Sequence, residues 1–392
     1  MVTINQAINL VKNSIQPLSI ETVKPVAKAG SYKLSRDIYS SINMPPFRQS
    51  AMDGYALNWH DKLSYTIVGE IKAGDNHQPI LKKGEAVRIF TGAPVPDTAN
   101  TVVMQEKVSL KDNNMTLLET IDINKNIRHE GEQVKKGQLA LPKDTQLTPA
   151  AIGYLSSLGI DQVHVYKKPT IAIITTGNEL VEPGEPIDYG QIYESNSSML
   201  LSALYGLKFY DVIIVKIQDD YNETINTLNR VIKNNDLVII SGGISVGDYD
   251  FVGKALNELN VTEHFYKVKQ KPGKPLFFGT KGHTHIFALP GNPAASLTCF
   301  YMYVFTALQK LMNNKADTLK RLKVSSDSNF KKHGDRPQFL KAIYNRNSVN
   351  ILEGQSSSML QTFAISNALV FMPEEQSEIK KGDKVEVILL PL

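Results

Sequence analysis

Between residues 167 and 322, short apolar runs alternate with segments of helical period. This alternation restricts the fold more than any other feature of the chain. TIAIITTG is followed by NSSMLLSALYGL, DVIIVKI by YNETINTLNRVIKN, and DLVIISGG by DFVGKALNELN. Runs apolar at consecutive positions suit parallel strands covered on both faces, since an alternating strand leaves one face in water. Strand-helix alternation predicts a βαβ sheet. In such a sheet ligands bind beyond the carboxyl ends of the strands, so the residues that follow each run are candidates for function.

The flanking segments read differently. Ile4, Ile8, Val11 and Ile15 recur at helical spacing, and Thr3 with Gln6 fits a capping box. YTIVGEI, EAVRIFTG, TVVMQEKVSL and MTLLE are short β-rich runs separated by Gly, Pro and Asn. LTPAAIGYLSSLG carries a helix cap at Thr148, a first-turn Pro149 and a terminating Gly159. FLKAIY, VNILE, ALVFMP and KVEVILL are again strands. The expectation is an α/β multidomain chain: a discontinuous N-terminal helical domain of residues 1–45 and 140–166, an inserted β domain at 46–139, a central parallel βαβ domain at 167–322, and a C-terminal β barrel at 323–392.

Composition excludes several classes. Lys and Arg number 43 against 39 Asp and Glu, a net charge of +4, which makes no global case for nucleic acid or an anionic membrane. Cys299 is the single cysteine, so an internal disulfide and a Cys-rich zinc site are impossible. No run approaches the ~20 apolar residues of a membrane helix, and polar residues interrupt the N-terminal apolar ones, unlike a signal peptide. The expectation is a soluble cytoplasmic protein that binds neither membrane nor nucleic acid. No H-E-x-x-H or Walker motif is present.

The strand ends hold the chemistry. One runs into Thr175-Thr176-Gly177-Asn178-Glu179. Another runs into a loop with Ser241, Gly242, Gly243, Ser245 and Gly247, where glycines let backbone amides approach an anion. A third reaches Pro290-Gly291-Asn292-Pro293, with Asn292 suited to a cap and Pro293 to the first helical position. Lys267, Lys269, Lys271 and Lys274 fall within eight residues around a Pro-Gly turn, a compact positive loop suited to phosphate or another oxyanion. Glu179, Asp219, Asp220, Asp248 and Asp250 share these edges; each suits either a helix cap or Mg²⁺ bound through one or two carboxylates plus phosphate oxygens. Asp53-Gly54 and the segment around Thr91-Gly92 read locally only as turns.

The motifs PPFRQSAMDGYA, IFTGAPVP, VVMQE, NIRHEGE, TTGNEL, SGGISVGDYD, KPGKPLFFG, LPGNP and GQSSSML, in this order, resemble the MoeA / gephyrin E-domain family, molybdopterin molybdenumtransferases. The resemblance covers essentially the whole chain. It implies a central domain resembling molybdopterin adenylyltransferase and an elongated homodimer. It also implies a reaction in which adenylylated molybdopterin and molybdate give molybdenum cofactor, AMP and water with the help of Mg²⁺. Transient contact with molybdopterin adenylyltransferase and apo-molybdoenzymes is implied too.

Carried over by motif, Asp53, Thr91, Glu179, Asp219 and Asp250 are the catalytic candidates, and Glu179 and Asp250 the metal ligands. Arg128, Lys267, Lys271, Lys274, Pro290, Pro293, Arg336 and Ser357 join the glycine loop as substrate-binding candidates. Asn178, Gln133, Ala295, Ser358 and Arg48 depart from the commoner family residues. Two rivals stand beside this reading. A lone adenylyltransferase lacks the β domains, and a partner-binding scaffold has no use for the lysine loop.

Overall fold

Six strands build the central sheet: β1 (Ile171–Thr176), β2 (Val212–Ile217), β3 (Leu237–Ser241), β4 (Thr262–Tyr266), β5 (Phe277–Lys281) and β6 (Thr284–Leu289). They come from a computed structural model that describes residues 1–218, 220–243, 251–314 and 318–391. The strand order is β2-β1-β3-β6-β5-β4. β2, β1, β3 and β6 are parallel, as the apolar runs require. β5 and β4 run antiparallel at one edge. Only residues 282 and 283 separate β5 from β6, and so short a link permits a hairpin but no crossover.

Every residue of β1 and β3 is buried. Ile171, Ile173, Leu237 and Ile239 enter one core with α1 (Ile4–Ser14) and α2 (Asn196–Gly206). Ala172, Ile174, Val238 and Ile240 enter another with α3 (Tyr221–Asn234) and α4 (Phe251–Glu258). The uniform hydrophobicity of the runs thus has its physical reason in a sheet covered on both faces. After β6 the chain is helical through α5 (Pro293–Cys299), a π-helical stretch (Phe300–Val304) and α6 (Phe305–Leu311).

The chain divides into two units, residues 1–20 with 167–392, and residues 21–166. α1 has the expected capping box and buries Ile4, Ala7, Ile8 and Val11, packing against α6. Its apolar stripe therefore has its partner in the larger unit, whereas the sequence pattern grouped residues 1–45 with 140–166. The larger unit ends in a closed barrel, of strands Arg321–Ser326, Ser348–Ile351, Gln338–Tyr344, Ala368–Met372 and Lys384–Leu389 in spatial order.

In the smaller unit a six-stranded sheet holds the strands Gly54–Leu57, Ser64–Ile71, Glu85–Ile89, Thr101–Met104, Val108–Lys111 and Asn114–Leu117. Arg48 fastens a neighbouring turn by donating to the carbonyls of Pro96, Asp97 and Ala99. The helix Pro149–Ser157 is capped by Thr148 and packs on Val26, Ala29 and Leu34. Among the described residues no helix is long and apolar enough to cross a membrane.

Ile239 is wholly buried in β3. Ile239→Ala should destabilise the larger unit by about 2–5 kcal/mol, the usual cost of such a cavity, read as a lowered calorimetric transition.

Candidate functional site

Two cavities open beside the carboxyl ends of the central strands, within the larger unit, and share Pro275, Pro290 and Asn292 as a common wall. The first, about 640 Å³, is lined by Thr176 at the end of β1 and Ser241 at the end of β3. From β1 the chain moves outward to β2, then crosses to the other side of β1 to form β3. The connections leave in opposite directions, and the crevice between β1 and β3 is the switch point where such sheets bind ligands.

Glu179 lines this cavity with an exposed side chain. Gly177 makes its position possible, since φ is +140° there and a Cβ would come within 2.7 Å of the Glu179 carboxylate. Gly242 and Gly243 also line it. Asn196, at the start of α2, donates from Nδ2 to Ser241 Oγ (2.8 Å) and to the Gly291 carbonyl (2.7 Å), tying two strand ends together. Glu194 is buried and spends its carboxylate on the Ser197 amide and hydroxyl, which caps α2.

The second cavity, about 610 Å³, is cationic. Lys271, Lys274, Lys331, His333 and Arg336 line it, with Ser356 and Ser357, and among the described residues no carboxylate does. The lysine loop is fixed from beneath by Gln270, which is fully buried. Its Nε2 donates to the carbonyls of Pro272 and Gly273 (3.1 Å each), and its Oε1 accepts from the Tyr303 hydroxyl. Gly273 sits at φ +84° directly over Cys299, where a Cβ would lie 2.4 Å from Sγ. The barrel stitches the same loop from the side. The Lys271 amide donates to the Pro337 carbonyl, the Phe339 amide to the Lys271 carbonyl, and Arg336 Nη1 to the Gln270 carbonyl (3.0 Å). Burial pushes the Cys299 thiol well above its ordinary pKa, which suits packing and not reactivity.

The candidates thus separate. Glu179, Ser241, Gly242, Gly243 and Pro293 line the switch-point cavity, Lys271, Lys274, Arg336 and Ser357 the cationic one, and Pro290 both. Lys267 lines neither; its ammonium lies 5.0 Å from the Tyr266 ring centroid. Asp219, Ser245, Gly247 and Asp250 lie outside the described residues. The cap of α3 is Asp220, which accepts from the Glu223 amide at 2.7 Å.

Asn292 occupies the cap position of α5 without making the cap bond. It donates to Ser357 Oγ at 3.0 Å, while the Ser357 carbonyl takes the Ala294 and Ala295 amides. These two first-turn donors are therefore spent on the protein. Asn196, Lys331 and His333 were not singled out by sequence. Asn196 sits in an ordinary polar helix start, and Lys331 and His333 come near the lysine loop only through the barrel.

In the smaller unit Asp53 Oδ1 accepts both the Thr91 amide and hydroxyl at 2.8 Å. These bonds, with the nearby Arg88 charge, hold the Asp53 carboxyl below the usual aspartate range. The two Thr91 bonds thereby fix where this carboxylate points. Arg128 is exposed on the strand Ile127–Arg128, which pairs with Gln49–Ser50.

Comparison with known proteins matches three family models along the chain. They are the MoeA N-terminal region (domain I and II) at residues 2–159, a probable molybdopterin binding domain at 172–310, and the MoeA C-terminal region (domain IV) at 323–390. A molybdopterin molybdenumtransferase of Haemophilus influenzae is 35% identical over 90% of each chain. One from Nostoc is 33% identical over all of this chain and 93% of its own. Among solved structures, a molybdopterin biosynthesis MoeA protein of Pyrococcus horikoshii superposes with a TM-score of 0.81 at 28% identity, covering 100% of both chains.

Gln270→Leu removes two donors and an acceptor beneath the lysine loop, at about 1–3 kcal/mol for each buried group left unpaired. Amides of residues 271–275 should then exchange with solvent faster. Thr91→Ala should raise the Asp53 pKa toward the ordinary aspartate value, as followed by NMR titration. Because the folded pKa is depressed, the stabilisation from this pair is present above the unfolded aspartate pKa and is lost as pH falls through the folded one.

Proposed function

This chain belongs to the MoeA family of molybdopterin molybdenumtransferases, enzymes of molybdenum-cofactor biosynthesis, and from that premise we propose that it inserts molybdate into adenylylated molybdopterin, releasing AMP. The observation that carries the reading is the pair of cavities with one wall. Molybdate takes the cationic cavity, held by Lys271, Lys274, Arg336 and Ser357. The phosphate-bearing pterin takes the switch-point cavity beside it, at Ser241, Gly242 and Gly243.

The physical task is to bring anions together. Molybdate is a dianion and the pterin ligand carries phosphate, so their approach in water is repulsive. A cavity lined by cations and without carboxylates among the described residues offsets that repulsion, and the shared wall converts an encounter into a positioned neighbourhood. Hydrolysis of the anhydride to AMP supplies the driving force, and no side chain has to act as a covalent nucleophile.

Among the described residues, no cluster of three or more His, Cys, Asp or Glu is placed to cage a metal ion. The exposed Glu179 carboxylate does fit Mg²⁺ in its commonest setting, one or two carboxylates with phosphate oxygens completing the shell. When bound there, Mg²⁺ would neutralise charge on the leaving phosphate. Roles for Asp53, Thr91, Arg128, Lys267, Asp219, Ser245, Gly247, Asp250, Pro290 and Pro293 belong to the same proposal. So do a cytoplasmic setting and transient contacts with the adenylyltransferase and apo-molybdoenzymes. Homodimer formation is part of it too, supported by the edge strand β2, where Ile213 and Ile214 are 48% and 46% exposed.

The test is AMP. Purified protein given adenylylated molybdopterin, Mg²⁺ and molybdate should release AMP only when molybdate is present; release indifferent to molybdate would sink the reading. Lys271→Ala should raise the molybdate KM about tenfold, the worth of one charge-assisted contact, with the thermal transition unchanged.

A further inference from the structure

Lys341 carries a charge that the chemistry above leaves unused. It lies on the barrel strand Gln338–Tyr344 and is only 4% exposed. Its ammonium donates to three backbone carbonyls, those of Gly354 (2.7 Å), Ser356 (3.0 Å) and Met359 (3.0 Å). Three N–H groups meet three acceptors, and none of the three is a carboxylate. Burial lowers the Lys341 pKa, a sign that the cation is costly here. An apolar side chain would fill the same space without that cost. What an apolar side chain cannot do is gather three carbonyls of one loop.

That loop, residues 354–359, has its other side on the cavities. Gln355, Ser356 and Ser357 line the cationic one, and Ser358 lines its neighbour. Gln355 ties the loop back to the strand, accepting the Lys341 amide and donating to the Lys341 carbonyl (2.9 Å each). Ser357 is held by α5, whose Ala294 and Ala295 amides take its carbonyl, while Asn292 donates to its Oγ and leaves the hydroxyl hydrogen to donate elsewhere. The bond between Ser356 and Ser357 is trans, so its C=O and N–H point in opposite directions. With the Ser356 carbonyl drawn to Lys341, the Ser357 amide is directed away from the ammonium.

We propose that Lys341 is a positioning residue for oxyanion capture: by drawing three loop carbonyls inward it turns the Ser357 amide outward, to join the Ser357 hydroxyl as donors to molybdate. Without the ammonium the Ser356 carbonyl keeps only the Met359 amide (3.2 Å), and the Gly354 and Met359 carbonyls lose the donor that gathers them, so the loop holds the Ser357 amide in place less firmly. The inference rests on the molybdate-inserting reading and adds to it the group that orients the donors.

The experiment compares wild type with Lys341→Met, which keeps the length and loses the charge. Wild type is assayed first for molybdate-dependent AMP release; absence of that dependence overturns the insertion reading, and this inference with it. In a responsive system, Lys341→Met should raise the molybdate KM about tenfold, the worth of one hydrogen bond to a charged ligand. The kcat at saturating molybdate should stay within about threefold, and affinity for adenylylated molybdopterin within about twofold, because those steps do not use the Ser357 donors. An unchanged molybdate KM overturns the role of Lys341 alone. So does an equal loss in kcat and pterin affinity, which a merely structural role would produce. Should Lys341→Met fail to fold, hydrogen exchange on the wild type decides. Molybdate should slow exchange of the amides of residues 355–358 about tenfold, as protection by a bound anion requires, and unchanged exchange overturns the proposal.

Discussion

Cations collected around one cavity repel each other, and the loop that carries them has to be held in place against that repulsion. Two unit charges 4 Å apart repel by about 1 kcal/mol in water and about 4 kcal/mol near a protein surface. The lysine loop is anchored mostly by neutral contacts: buried Gln270 beneath two carbonyls, the Tyr303 hydroxyl behind Gln270, and main-chain bonds with Pro337 and Phe339, joined by the Arg336 guanidinium on the Gln270 carbonyl and the Lys269–Glu374 pair. Each is worth about 1 kcal/mol net and much more if left unpaired. The frame holds the charges at the mouth, and an oxyanion relieves their repulsion instead of merely adding a contact.

The same constraint explains why an α/β sheet alone does not make the site. The switch point between β1 and β3 supplies glycines and polar strand ends, and Glu179 stands at its rim. The barrel supplies Lys331, Arg336 and Ser357 to the neighbouring cavity. Pro275, Pro290 and Asn292 belong to both cavities. Asn292 spends its side chain on Ser357, so the turn after β6 acts as a joint between sheet and barrel and leaves the capping of α5 to the Ser357 carbonyl.

Several site residues were visible in the sequence because their chemistry is local. A Pro-Gly turn carrying lysines is positive wherever it folds, and a glycine pair after an apolar run marks a strand end. Others carried no local signal. Gln270 is one polar residue between lysines, and nothing nearby announces that it is buried. Lys341 is the one charged residue in FLKAIY, and nothing near it announces that it is buried; the structure turns it inward, where carbonyls from a loop more than ten residues later accept its ammonium. Lys267 misled in the opposite sense: it belongs to the lysine run, but the run bends and leaves it over Tyr266.

By itself the sequence determined the periodic elements: strands apolar enough to need cover on both faces, a helix with its own capping box, a β-rich insertion and a barrel of short strands. Those follow from side-chain periodicity and backbone preference, which act over a few residues. Only the tertiary structure decided which charges face one another, which polar groups are buried to support them, and which helix start is already occupied. Such outcomes depend on groups tens to hundreds of residues apart, and a local pattern carries no record of the partner that will neutralise, cap or desolvate it.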